Sequence, residues 1–190
     1  MRPFLSILSI SLILFLSCQK ALTETQKKEY LAKGKQIAKT TANHLGGELT
    51  KHMKAGGVSE AIPYCNGQAG PLTQEMSEKF KVAIKRTSHK LRNSNNAPTA
   101  NEIAILEQFK ELKATNTTLK PVVALDDKGH PHFYAPIIVQ KKCLACHGVI
   151  GDSMKPATDS IIKTLYPKDK ATGFHEGDLR GIWSIAFESK

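Results

Sequence analysis

The chain has 190 residues and a formal net charge of +10. That length corresponds to about one domain and can bury a proper core. The basicity invites a nucleic-acid reading, but the lysines are scattered rather than clustered and the N-terminus argues for export, so no nucleic-acid partner is expected.

Residues 1–17 read as a signal peptide. Arg2 is a minimal positive start, and Phe4 to Leu16 is an apolar stretch too short to span a bilayer. Phe15-Leu16-Ser17-Cys18 resembles a bacterial lipobox, with a small residue just before the cysteine. An ordinary signal peptide with an incidental cysteine is the plainer alternative, and both export the protein. Acylation of Cys18 would hold it at the periplasmic side of a bacterial membrane, because several acyl chains anchor firmly where one does not. Residues 18–26 then form a polar tether, and 27–190 a single domain.

Thr23-x-x-Gln26 is a capping box and opens a long helix that Gly56-Gly57 ends. Ser59 starts a second, short helix that carries Ala61, Ile62 and Cys65, and Pro71 to Phe80 reads as a third. Lys81 to Thr87 alternates as a half-buried strand does. Residues 88–98 are polar and end in Asn95-Asn96-Ala97-Pro98, which predicts a loop. Thr99-x-x-Glu102 caps an amphipathic helix bearing Ile103, Leu106, Phe109 and Leu112 on one face. Pro121 to Leu125 and His132 to Val139 form a hairpin across Asp126-Asp127-Lys128-Gly129, with His130 and His132 exposed at its turn. Ala157 to Leu165 is helical. Gly181 to Glu188 closes the chain as a strand with Ile182, Ser184 and Ala186 on one face and Trp183, Ile185 and Phe187 on the other. This order predicts an α+β fold, an antiparallel sheet flanked by helices.

Between the hairpin and the last helix lies Cys143-Leu144-Ala145-Cys146-His147. C-x-x-C-H is the pattern of covalent haem c attachment. Its two thiols share one helical turn and reach both vinyl groups, and the next histidine meets the iron from one side. Two rivals fit less well. A C-x-x-C disulfide oxidoreductase leaves His147 and Cys65 without a role. A structural zinc site needs four ligands, and no second C-x-x-C exists.

The second axial ligand is less determined by the sequence. Downstream stand only Met154, very near in sequence, and His175; upstream are Cys65, His44, His52, Met53, Met76, His89, His130 and His132. Cys65 is a small residue on an apolar helical stretch, where simple core packing is an equal account. Against that, an exported free thiol tends to be paired, ligated or modified.

Several segments together resemble the Tll-type haem-binding domain family. They are Ala61-Ile62-Pro63-Tyr64-Cys65; Arg86-Thr87-Ser88 with Leu91-Arg92-Asn93 and Asn96-Ala97-Pro98; Glu102; the haem motif with Gly148; Tyr166-Pro167-x-Asp169-x-Ala171-Thr172-Gly173-Phe174; and Gly177 to Gly181. Ser94 departs from the family's more usual proline. The resemblance implies a PAS-like fold, one haem c, and His147 and Cys65 as axial ligands on opposite faces. Arg86, Arg92 and Arg180 are the candidates to hold the haem propionates. The expectation is a non-enzymatic, membrane-anchored protein for electron transfer or for redox or gas sensing, with an acidic redox partner suited to its basic surface. The alternative is a peroxidase-type haem enzyme with an open distal site and His52 or His89 as acid–base residue.

Overall fold

The computed structural model describes residues 21–187; the expected signal peptide and Cys18 lie outside that range. Thr23 caps the first helix as predicted. Its hydroxyl accepts from the Gln26 N–H, and the Gln26 side chain accepts from the Thr23 N–H. This helix, α1 (Glu24–Phe80), is interrupted at Gly56 and Gly57, where Gly57 takes a φ of 67° that only glycine adopts without strain.

The interruption folds α1 back on itself. His44 pairs with Glu75, Tyr64 donates to Glu48, and His52 pairs with Glu60, a nested series that antiparallel limbs produce. The sequence predicts a further break at Pro71, but the second limb runs through Pro63 and Pro71 to Phe80. Gly70, which has no Cβ to clash with the Pro71 ring, eases the passage there, although Ile62 stays helical before Pro63 as well.

The other elements follow the expected order. They are β1 (Val82–Thr87), α2 (Ala100–Ala114), β2 (Val122–Leu125), β3 (Pro131–Ile138), α3 (Leu144–His147), α4 (Pro156–Leu165) and β4 (Leu179–Phe187). The four strands make one antiparallel sheet in the order β1-β4-β3-β2. β4 begins earlier than predicted, because Leu179 pairs with Ile138 across an irregularity in the ladder. The region expected as loop holds a tight turn at Ser94–Asn96. His132 is more enclosed than expected: it and His130 both lie against the Asp126 carboxylate.

The sheet is covered on both faces, as the alternation in β4 requires. Trp183, Ile185 and Phe187 pack with Ile37, Ala38 and Phe133 under α1. Ile182 packs with Leu106, Phe109 and Tyr134 under α2. Helix and sheet approach so closely at Gly34 that a Cβ there would stand 2.1 Å from Phe133 Cγ. α2 is fastened to β1 by buried Glu102, which accepts from Lys85 Nζ at 2.7 Å and from Thr99 N–H at 2.8 Å. Among the described residues no helix is long and apolar enough to cross a membrane.

Candidate functional site

β3 delivers the chain to a tight turn at Lys141–Cys143 and then to α3, a single turn carrying Cys146 and His147 with Cys143 at its start. Gly148 ends the turn where a Cβ would stand 2.3 Å from Ser153 Oγ and 2.7 Å from Leu144 O. Segment 171–174 clamps it from outside. Gly173 N–H donates to Gly148 O (2.8 Å), and Phe174 N–H donates to His147 O (3.0 Å).

The same segment fixes the imidazole. His147 Nδ1 lies 2.7 Å from Ala171 O. A carbonyl only accepts, so Nδ1 carries the proton and Nε2 keeps its lone pair. Burial, with Arg180 and Arg92 nearby, pushes the His147 pKa down to about 3. The ring is therefore neutral at ordinary pH, in the tautomer that metal-ligating histidines adopt when a carbonyl holds the other nitrogen.

Arg92 ties these segments together. Its Nη2 donates to Cys146 O (2.6 Å) and Ala171 O (3.2 Å), and its Nε donates to Asp169 Oδ1 (3.2 Å). Asp169 also accepts from Ala171 N–H (3.0 Å). Arg92 is thus committed to the protein itself. Arg86 and Arg180 are freer. Arg86 lies over the Trp183 ring at 5.6 Å with no hydrogen-bond partner among the described residues. Arg180 gives one N–H to Lys90 O and lies 5.4 Å from the Phe174 ring. Burial, and then the neighbouring Arg92 and Arg86, pull its pKa down to about 10. Partly buried guanidinium groups with unspent donors suit carboxylates.

Cys65 comes to this place from the second limb of α1. It is half-buried and free. Burial raises its thiol pKa, while Arg86 and Arg92 pull it the other way. The Cys146 thiol, raised by burial, also feels Arg92 and Cys65. Cys65, Cys143, Cys146, His147, Arg86, Arg92 and Arg180 therefore share one electrostatic neighbourhood. Below it, Ile62, Met154 and Ile162 form a buried cluster touching Cys146 and Tyr166, which gives Met154 a packing role.

The other histidines lie elsewhere. His52 stacks on Tyr64 at 3.6 Å and pairs with Glu60, and His89 pairs with Glu107 on α2. Among the described residues no three His, Cys, Asp or Glu side chains are placed to hold a metal ion, so a tetrahedral zinc site does not form. Free thiols on one turn, a lone-pair nitrogen beside them, a further sulfur and uncommitted guanidinium groups fit a haem, whose own ring supplies four of the iron's ligands.

Two contributors stand in the segments that carry the family resemblance but received no site role from the sequence. Ala171 acts through its backbone carbonyl, which no side-chain pattern reveals. Tyr166 feels Cys65, Arg92 and Arg86 and bonds Asn66.

A family model described as Tll0287-like matches residues 18–187. The chain belongs to the Tll0287-like family. Every residue of the site lies within the matched span. Among solved structures, the chain is similar to the crystal structure of the cyanobacterial haem protein Tll0287. The two are 27% identical with a TM-score of 0.64, over 84% of this chain and 94% of that one. No curated protein matches the chain.

Proposed function

We propose that this chain is a haem-binding protein: an exported, membrane-anchored, c-type cytochrome-like protein with one haem, working in electron transfer or in redox or gas sensing rather than as an enzyme. The observation that carries this reading is the orientation of His147, held at Nδ1 by Ala171 O with Nε2 free, at the end of a turn bearing two free thiols. Membership of the Tll0287-like family and likeness to a haem protein support it.

Bound haem supplies a one-electron ferric/ferrous couple whose potential follows its axial ligands. The free Cys143 and Cys146 thiols would hold the haem by adding across its two vinyl groups, each sulfur bonding one vinyl carbon while the thiol proton passes to the other. His147 Nε2 would ligate the iron, with Ala171 O keeping the ring from turning. Cys65 would supply the second protein ligand, as a sulfur donor. Burial keeps its thiol protonated in the empty chain, whereas Arg86, Arg92 and the iron's charge favour the thiolate. Thiolate ligation favours ferric iron and lowers the potential. Were Cys65 released when the bound group is reduced, the site it leaves would suit a small gas. Arg86 and Arg180 take the propionates, while Arg92 holds the loop that orients His147. Cys18 carries the lipid anchor, the few residues between it and the Thr23 cap of α1 form the tether, and the basic surface suits an acidic redox partner.

The test compares ferric and ferrous spectra of the full-length chain, matured in an export-competent host, with those of Cys65→Ala. A low-spin six-coordinate ferric spectrum that Cys65→Ala alters is expected. Identical spectra would remove the Cys65 assignment. A high-spin five-coordinate spectrum in the unaltered chain would favour a peroxidase-type site.

A further inference from the structure

A cavity of about 250 Å³ opens between α2 and the segment that follows β1. None of the proposed haem ligands lines it. Leu106, Leu179 and Phe174 give it apolar walls, and His89, Lys90 and Lys110 lie at its rim. The volume falls below the roughly 300–1,000 Å³ of pockets for drug-sized ligands, which limits the occupant to a small molecule.

The rim charges do not cancel. His89 and Lys110 share Glu107, at 3.1 Å and 3.2 Å. Lys90 has no carboxylate partner among the described residues; its Nζ donates to Thr172 O and sits 4.6 Å above the Phe174 ring. An apolar pocket beneath an unneutralised cation matches a molecule with an apolar body and one negative head.

Phe174 is also the wall between this cavity and His147, whose ring it meets edge-on at 6.3 Å. Arg180 lies over the same phenyl ring. We propose that the cavity is a binding site for a small amphiphilic carboxylate, and that its occupancy is felt at His147 across Phe174. The binding claim stands on the cavity alone; the linkage rests on the haem reading. A negative charge on the far side of Phe174 stabilises ferric over ferrous iron. By reciprocity the carboxylate binds the ferric protein more tightly by the same factor. Coulomb attraction reduced by solvent sets that direction, and a ferric preference above about twofold is expected.

The experiment titrates acetate, butyrate and hexanoate into the full-length, haem-loaded chain, ferric and ferrous, by calorimetry. Each fully buried methylene is worth up to about fourfold, so hexanoate should exceed acetate by at least about tenfold. Lys90→Glu, a change at an exposed position, should weaken hexanoate at least about tenfold by reversing the rim cation. Affinity that ignores chain length, or ignores Lys90→Glu, would overturn the site. Equal affinity for ferric and ferrous protein would overturn the linkage to His147. Should the chain prove to hold no haem, the functional reading fails, and the chain-length and Lys90→Glu series still decides the cavity.

Discussion

Replacing Arg92 by leucine strands a buried carboxylate. The Asp169 side chain is 3% exposed, and Arg92 faces it with Nε at 3.2 Å from Oδ1 and Nη2 at 3.4 Å from Oδ2. In Arg92→Leu, Asp169 keeps only the Ala171 N–H as donor. Removing one partner of a buried ion pair costs about 3–5 kcal/mol. The carbonyls of Cys146 and Ala171 lose a donor as well, which places the variant in the upper half of that range. At about 2–4 °C per kcal/mol for a chain of this size, the midpoint should fall by about 8–20 °C. Removing the carboxylate too, in Arg92→Leu with Asp169→Leu, relieves the stranded charge, and about 1–3 kcal/mol of coupling should be recovered. Denaturant melts followed by circular dichroism, run as a double-mutant cycle on the full-length chain, measure both quantities. A cost below about 1 kcal/mol for Arg92→Leu, or a double variant whose cost equals the sum of the two singles, would refute the network.

Gly34→Ala should destabilise the chain by about 1–3 kcal/mol, because its Cβ meets the Phe133 ring between α1 and the sheet. A melt indistinguishable from the unaltered chain would show that this contact yields freely. In the haem-free chain, His147 has a folded pKa of about 3 against an ordinary value of 6.5, so the unfolded state binds its proton first. Its contribution is therefore intact above pH 6.5 and is lost as pH falls from 6.5 towards 3, about 2 kcal/mol being gone by pH 5. His147→Gln should flatten that part of the stability profile, and an unchanged slope would contradict the buried neutral ring.

Much of the fold is legible locally. The Thr23 and Thr99 capping boxes both form, because each needs only side chains three residues apart. The hairpin turn at Asp126–Gly129 and the two faces of β4 follow equally short-range rules. The helix through Pro71 was not legible as such: Pro71 reads as a breaker, although Gly70 before it eases the passage. The antiparallel limbs of α1 depend on pairs such as Glu48 with Tyr64, sixteen residues apart, which no periodicity announces.

The candidate site divides along the same line. Cys143, Cys146 and His147 are contiguous and declare themselves. Cys65 and the arginines come from distant segments, and only the family resemblance singled them out together. The structure adds what a pattern of side chains cannot carry. Ala171 contributes a carbonyl, and Arg92, expected beside a propionate, spends its donors on Asp169, Cys146 and Ala171.

The central claim is that Cys143 and Cys146 hold one haem covalently. Intact mass under denaturing conditions tests it most directly, on the full-length chain from a host that matures exported c-type haem proteins. The expected mass is that of the polypeptide plus one haem, lost when Cys143→Ala and Cys146→Ala are combined. A bare polypeptide mass from that host would contradict it.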